Sequence, residues 1–253
     1  MKKSLIALIG LGLLVVSPSC KKGENDPALS LSSRKSRLAG EYNLDSWVSY
    51  TKTTDSDNNV VETTITLDNN DGTRVVKYTP DAGAISTETR NITVSKAAFS
   101  FTKDGTFVIE INTTTTWSEP GGGWIVDEYI YSVDETSTEL GTWSFLGGES
   151  EEFKNKERVM MSVNMSEKTT QTTTETVYTD GSSDTSESDL FGDSDEYASG
   201  QYISVYNIDM LKGKEMVLKQ DKTGEFSNST TSGALTVTFT IMQEGNVELR
   251  LVE

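Results

Sequence analysis

Histidine is absent from all 253 residues, and cysteine occurs once, at Cys20. Without an imidazole there is no Ser-His-Asp triad, no histidine general base and no histidine-based zinc, copper or non-haem iron site. Without a second cysteine there is no intrachain disulfide, so the fold must rest on its own core. Proline is scarce as well, with four residues, which leaves few interruptions to long extended segments. Positive charge is the next deficiency: 22 basic residues face 39 acidic ones, a formal charge of -17. Nucleic acid and anionic lipid headgroups need a basic patch to displace their counterions, so neither is an expected partner. Metal chemistry is restricted to hard oxygen ligands. The segments Asp55-x-Asp57-x-Asn59 and Asp193-x-Asp195 echo a calcium loop, yet both lack its glycine and its distant bidentate glutamate. No metal site and no cofactor are assigned. Carboxylates abound, but no spacing marks two of them as a catalytic pair, and no enzyme activity is expected.

Long apolar runs are also missing, with one exception at the N-terminus. Lys2 and Lys3 precede an apolar stretch over residues 5–16, small residues follow at Ser17-Pro18-Ser19, and then comes Cys20. A membrane-spanning helix needs roughly 20 apolar residues, more than this run supplies. The pattern instead predicts a lipoprotein precursor, with residues 1–19 removed as a signal peptide and Cys20 lipidated. Loss of Lys2 and Lys3 takes the formal charge from -17 to -19, so lipid rather than protein charge must hold the bilayer. One acyl chain binds only marginally, and a multiply acylated cysteine, palmitate included, is therefore expected. Residues 20–36 are polar, carry Pro27 and read as a tether. Lys21-Lys22-Gly23-Glu24-Asn25-Asp26 resembles the basic-then-acidic signals that direct lipoproteins outward. The expected location is the outer membrane, on its periplasmic face or the cell surface.

Residues 37–253 form the expected domain, and their period is two nearly throughout. Tyr42, Leu44, Ser46, Val48 and Tyr50 alternate with Asn43, Asp45, Trp47 and Ser49. Asp104-Gly105 turns between Phe99/Phe101 and Phe107/Ile109/Ile111, and Asn69-Asn70-Asp71-Gly72 makes a second hairpin. Pro120-Gly121-Gly122-Gly123 separates two more strands, and Gln243-Glu244-Gly245-Asn246 predicts a terminal hairpin between Leu235–Ile241 and Val247–Leu251. Thr113–Thr116 and Thr169–Thr176 run out of apolar alternation, so they read as strands with a solvated threonine face. Residues 180–200, rich in Gly, Ser and acid, predict a loop.

Leu38-Ala39-Gly40-Glu41-Tyr42-Asn43-Leu44 resembles the opening "L-x-G-x-W-x-L" of the lipocalin-like lipoprotein domains of Gram-negative bacteria. Phe99–Phe107 resembles their central hairpin, Gly141-Thr142-Trp143-Ser144-Phe145 their "G-T-W" strand, and Ile208–Leu211 with Met216-Val217-Leu218 their late strand pair. The resemblance implies an all-β, antiparallel up-and-down barrel, with residues 51–96 and 149–199 as insertions or extra strand length. A β-sandwich is the alternative architecture. The resemblance also implies a small apolar ligand inside the barrel, where Tyr42, Phe99, Phe107, Trp143 and Phe239 would point. A second reading is a surface module for a protein or glycan, with Trp124, Tyr129 and Tyr131 beside the Gly121 turn as contacts.

Overall fold

The structure is a computed structural model, and it describes residues 34–146, 157–212, 214–221, 224–232 and 235–253. For residue 34 and residues 224–232 and 235–242 it describes the backbone alone. Cys20 and the expected signal peptide lie outside the described residues, as does the side chain of Phe239. A short helix, α1 (Arg34–Leu38), spans the expected junction of tether and domain.

Thirteen strands follow: β1 (Gly40–Thr54), β2 (Val60–Asp68), β3 (Asp71–Thr79), β4 (Ser86–Phe101), β5 (Thr106–Pro120), β6 (Val126–Leu146), β7 (Glu157–Tyr178), β8 (Ser183–Glu187), β9 (Phe191–Glu196), β10 (Tyr202–Lys212), β11 (Glu215–Asp221), β12 (Gly224–Ser232) and β13 (Leu235–Val252). β8, β9 and β10 pair one after another along β7, and β11 and β12 do the same along β13. The chain therefore makes about ten antiparallel passes. β13 then pairs with β1 from Asn43↔Val252 to Thr54↔Met242 and closes one sheet into a barrel, which excludes the sandwich.

The barrel changes width along its axis. At its base β1 pairs directly with β4, from Gly40↔Phe101 to Asn43↔Ala98, so the wall there is β1, β4, β5, β6, β7, β10, β11 and β13. Higher up, the β2–β3 hairpin is inserted between β1 and β4. Its two-residue turn is stitched into both neighbours: Asn69 N–H donates to Asp45 O at 2.7 Å, and Val94 N–H donates to Asn70 O at 2.6 Å. β1 and β4 each shift register at that level, between Leu44 and Ser46 and between Val94 and Lys96. Such bulges bend a strand, as widening the wall requires.

Period-two alternation sends large apolar residues into the base. Tyr42, Phe101, Phe107, Trp143, Met216 and Leu251 are buried there. The rings meet edge-on: Phe101 lies 6.3 Å from Trp143 at 83°, and Trp143 lies 5.5 Å from Phe145 at 89°. A side chain at Gly141 would come within 2.7 Å of the Phe107 ring, so the glycine leaves room for that ring. α1 covers the floor with fully buried Leu38, and Arg37 Nη1 donates to Leu211 O at 3.0 Å. The Tyr42 hydroxyl donates to Arg37 O at 2.9 Å, and burial together with Glu253 pushes its pKa up to about 12.

Above the base the strands continue much further, β6 for 21 residues and β7 for 22. Both threonine tracts are strand, Thr113–Thr116 within β5 and Thr169–Thr176 within β7. The outward positions of β5 to β7 include Glu110, Asn112, Asp134, Thr136 and Glu167, whereas a lipid-facing barrel presents an apolar band. No helix among the described residues is long and apolar enough to cross a membrane.

Two expectations are corrected. Gln243-Glu244-Gly245-Asn246 is not a turn but the middle of β13, paired with Tyr50–Thr53 of β1. Gly245 serves a close approach instead, since a Cβ there would lie 2.2 Å from Tyr50 O. The predicted loop at 180–200 contains β8 and β9, hydrogen-bonded to β7. Their residues are exposed, so main-chain pairing holds them and no buried face writes an alternation into the sequence.

Candidate functional site

A cavity of about 220 Å³ lies directly above the packed base. Of its ten lining residues among those described, seven are the hydrocarbon or indole side chains expected of an apolar chamber, with Leu44 and Trp47 on β1, Phe99 on β4, Ile109 and Ile111 on β5, and Val247 and Leu249 on β13. The polar remainder is Ser137 and Glu139 on β6 and Tyr206 on β10. Register accounts for their orientation. Ile109 lies opposite Glu139, Ile111 opposite Ser137, and Trp47 opposite Leu249, and directly cross-strand residues share a face. From Trp143 the inward positions rise through Gly141, Glu139 and Ser137, so the alternation that buries an indole in the base carries a carboxyl group into the cavity.

Glu139 makes no hydrogen bond or ion pair among the described residues, and burial raises its pKa above the ordinary carboxyl value. The Tyr206 hydroxyl is likewise pushed up, first by burial and then by Glu139. The Trp47 indole N–H is buried without an acceptor among the described residues. The inward lysine nearest above, Lys168, is engaged elsewhere: its ammonium lies 2.6 Å from Glu135.

Further up, the lumen becomes polar and aromatic. The Arg90 guanidinium sits 3.9 Å from the centre of the Trp117 ring, which stacks on Tyr131 at 4.9 Å and 16°. Arg74 of β3 stands directly opposite Arg90. The ladders that are described leave β8 and β9 paired to β7 and β12 paired to β13.

Of the residues expected inside the barrel, Phe99 forms part of the cavity wall, while Tyr42, Phe107 and Trp143 are packed beneath its floor. Phe239 pairs through its backbone with Asn228. Tyr131 takes part in the upper aromatic stack, and Tyr129 lies 6.4 Å from it. Trp124 is 99% exposed at the β5–β6 tip, beside exposed Ile125. The Asp55 carboxylate closes its own hairpin, accepting from Asp57 N–H, Asn59 N–H and Asn59 Nδ2, each at 2.9 Å. Among the described residues no three His, Cys, Asp or Glu side chains are grouped to hold a metal. Glu139, Trp47 and Tyr206 were not singled out by the sequence. Glu139 is one of 39 acidic residues, and only the register from Trp143 distinguishes it.

No family model matches the chain, and no curated protein matches it. Among solved structures, it is similar to a TodX monoaromatic hydrocarbon channel deltaS2 mutant at 8% identity and a TM-score of 0.14, over 84% of this chain and 89% of that one. A likeness that slight carries no argument about fold or ligand.

Proposed function

We propose that this protein is a membrane-anchored binding protein, which holds a compact apolar molecule inside its barrel and is tethered through acyl chains on Cys20. The cavity carries the reading: a partly open, mostly hydrocarbon-lined space above a packed floor, with few polar groups to orient an occupant. Its volume sets the scale. An apolar cavity of about 150 Å³ accepts benzene, and drug-sized ligands occupy about 300 Å³ or more. At about 220 Å³ this site suits a molecule of one ring with a short substituent. The tether rests on the signal pattern and Cys20.

The test is calorimetric titration of the full chain carrying Cys20→Ser with alkylbenzenes of increasing length. Saturable one-to-one binding that weakens once the substituent outgrows the cavity is the expected result. Absence of saturable binding across the series overturns the carrier reading. A second reading, a surface module for a protein or glycan, draws on the exposure of Trp124 and Ile125 at the β5–β6 tip. In that case Trp124→Ala abolishes partner capture while leaving alkylbenzene titration unaffected.

A further inference from the structure

We infer that the ligand is a cation, a small aromatic or aliphatic amine whose apolar body fills the cavity and whose ammonium group meets Glu139. The inference rests on the carrier reading above and specifies its ligand class. Among the described residues Glu139 is the only acidic or basic side chain in the cavity wall, and it lies among hydrocarbon side chains with no hydrogen bond or ion pair. Glu139 is partly buried, and a carboxyl group that gives up part of its hydration in such a place is a mark of a functional site. Two inward-facing cations higher in the barrel are committed elsewhere: Lys168 pairs with Glu135, and Arg90 lies over Trp117 and contacts Glu88.

The rest of the wall suits the same occupant. Trp47, Phe99 and Tyr206 surround the space with aromatic rings, whose faces attract ammonium groups. The strongly negative chain draws cations towards the barrel and repels anions. A fatty acid fits badly on this account, because its carboxylate would meet Glu139. The groups facing Glu139 include the Tyr206 and Tyr197 phenols, both raised in pKa in part by it, and neither supplies a positive charge.

Three probes of one shape separate the possibilities: 2-phenylethylammonium, the uncharged n-propylbenzene, and 3-phenylpropanoate. They are titrated into the full chain carrying Cys20→Ser, and into the same chain with Glu139→Gln, at mildly alkaline pH. The expected result is that the ammonium binds about tenfold or more tighter than n-propylbenzene, that the carboxylate binds weakest, and that Glu139→Gln brings the ammonium and n-propylbenzene to within about twofold of each other. Equal binding of ammonium and hydrocarbon, an ammonium preference that survives Glu139→Gln, or tightest binding by the carboxylate overturns the inference and leaves the carrier reading standing. Failure of all three probes to bind overturns the carrier reading and the inference with it.

Discussion

The lower and upper halves of this barrel share strands but not the forces that hold them. In the base, β5 and β6 contribute Phe107 and Trp143, 1% and 5% exposed, to a floor sealed by α1. Further along the same two strands, the inward positions are Thr113, Thr115, Glu135 and Ser137. The lower wall is packed against a core, whereas the upper wall is held chiefly by its main-chain ladders and by scattered pairs such as Lys168–Glu135, half open to solvent and worth little. Threonine serves such a wall well. Its β-branch favours the extended backbone, while its hydroxyl tolerates water on either face. The cavity lies at the junction, where the floor supplies apolar walls and the upper barrel begins to supply polar ones.

This contrast can be broken by truncating one residue from each half. Phe107→Ala empties the space that Gly141 leaves for its ring and is expected to cost about 3–5 kcal/mol in denaturant unfolding. Thr172→Ala, in the upper part of β7, is expected to stay within about 0.5 kcal/mol. Comparable losses at the two positions would mean that the base does not anchor the barrel.

A smaller effect sharpens the contrast at the closing seam. Gly245→Val drives a side chain against Tyr50 O across β1–β13 and is expected to cost about 1–3 kcal/mol. Gly122→Val, at a tip with open space around it, is expected to be close to neutral. If both are tolerated alike, Gly245 occupies a turn after all and the seam is misdescribed.

That pair of glycines also shows what was legible in the sequence. Strands with one buried face, such as Phe99–Phe101 and Phe107–Ile111, announce themselves by alternation, and both threonine tracts read as strands because they run out of such alternation. Gly245 and Gly122 look alike as letters, yet one permits a backbone approach and the other ends a hairpin; only the partner strand distinguishes them. β8 and β9 left no pattern because neither of their faces is buried. The expected aromatics Tyr42, Phe107 and Trp143 are buried in the base, but the division between floor and wall depends on barrel height, which period two does not encode. Glu139 was hidden for the opposite reason: in a chain this acidic, an inward carboxyl group is marked only by its place in register, two steps of alternation from Trp143 and opposite Ile109.

Glu139 gives the smallest effect, and it tests the junction itself. Its pKa is raised in the folded protein by burial, so between the ordinary carboxyl value and that raised value the folded chain holds a proton that the unfolded chain has released. Stability contributed at this position therefore falls as pH rises through that window and is constant above it. Asp55, Glu62, Asp104 and Asp180 act in the opposite sense, since hydrogen bonds lower their pKa values and their contribution is lost as pH falls. The clean measurement is thus the difference between the ligand-free protein and Glu139→Gln, which removes one titration and leaves the other four in place. The variant is expected to melt higher than the parent at about pH 7, with the gap closing towards about pH 4 as Glu139 takes up its proton. A gap that does not change with pH would show that Glu139 is as well solvated as a surface carboxylate. A closing gap would mean that the apo protein is destabilised by an ionised side chain at the one level where its apolar and polar halves meet, a cost that a cationic ligand is suited to offset.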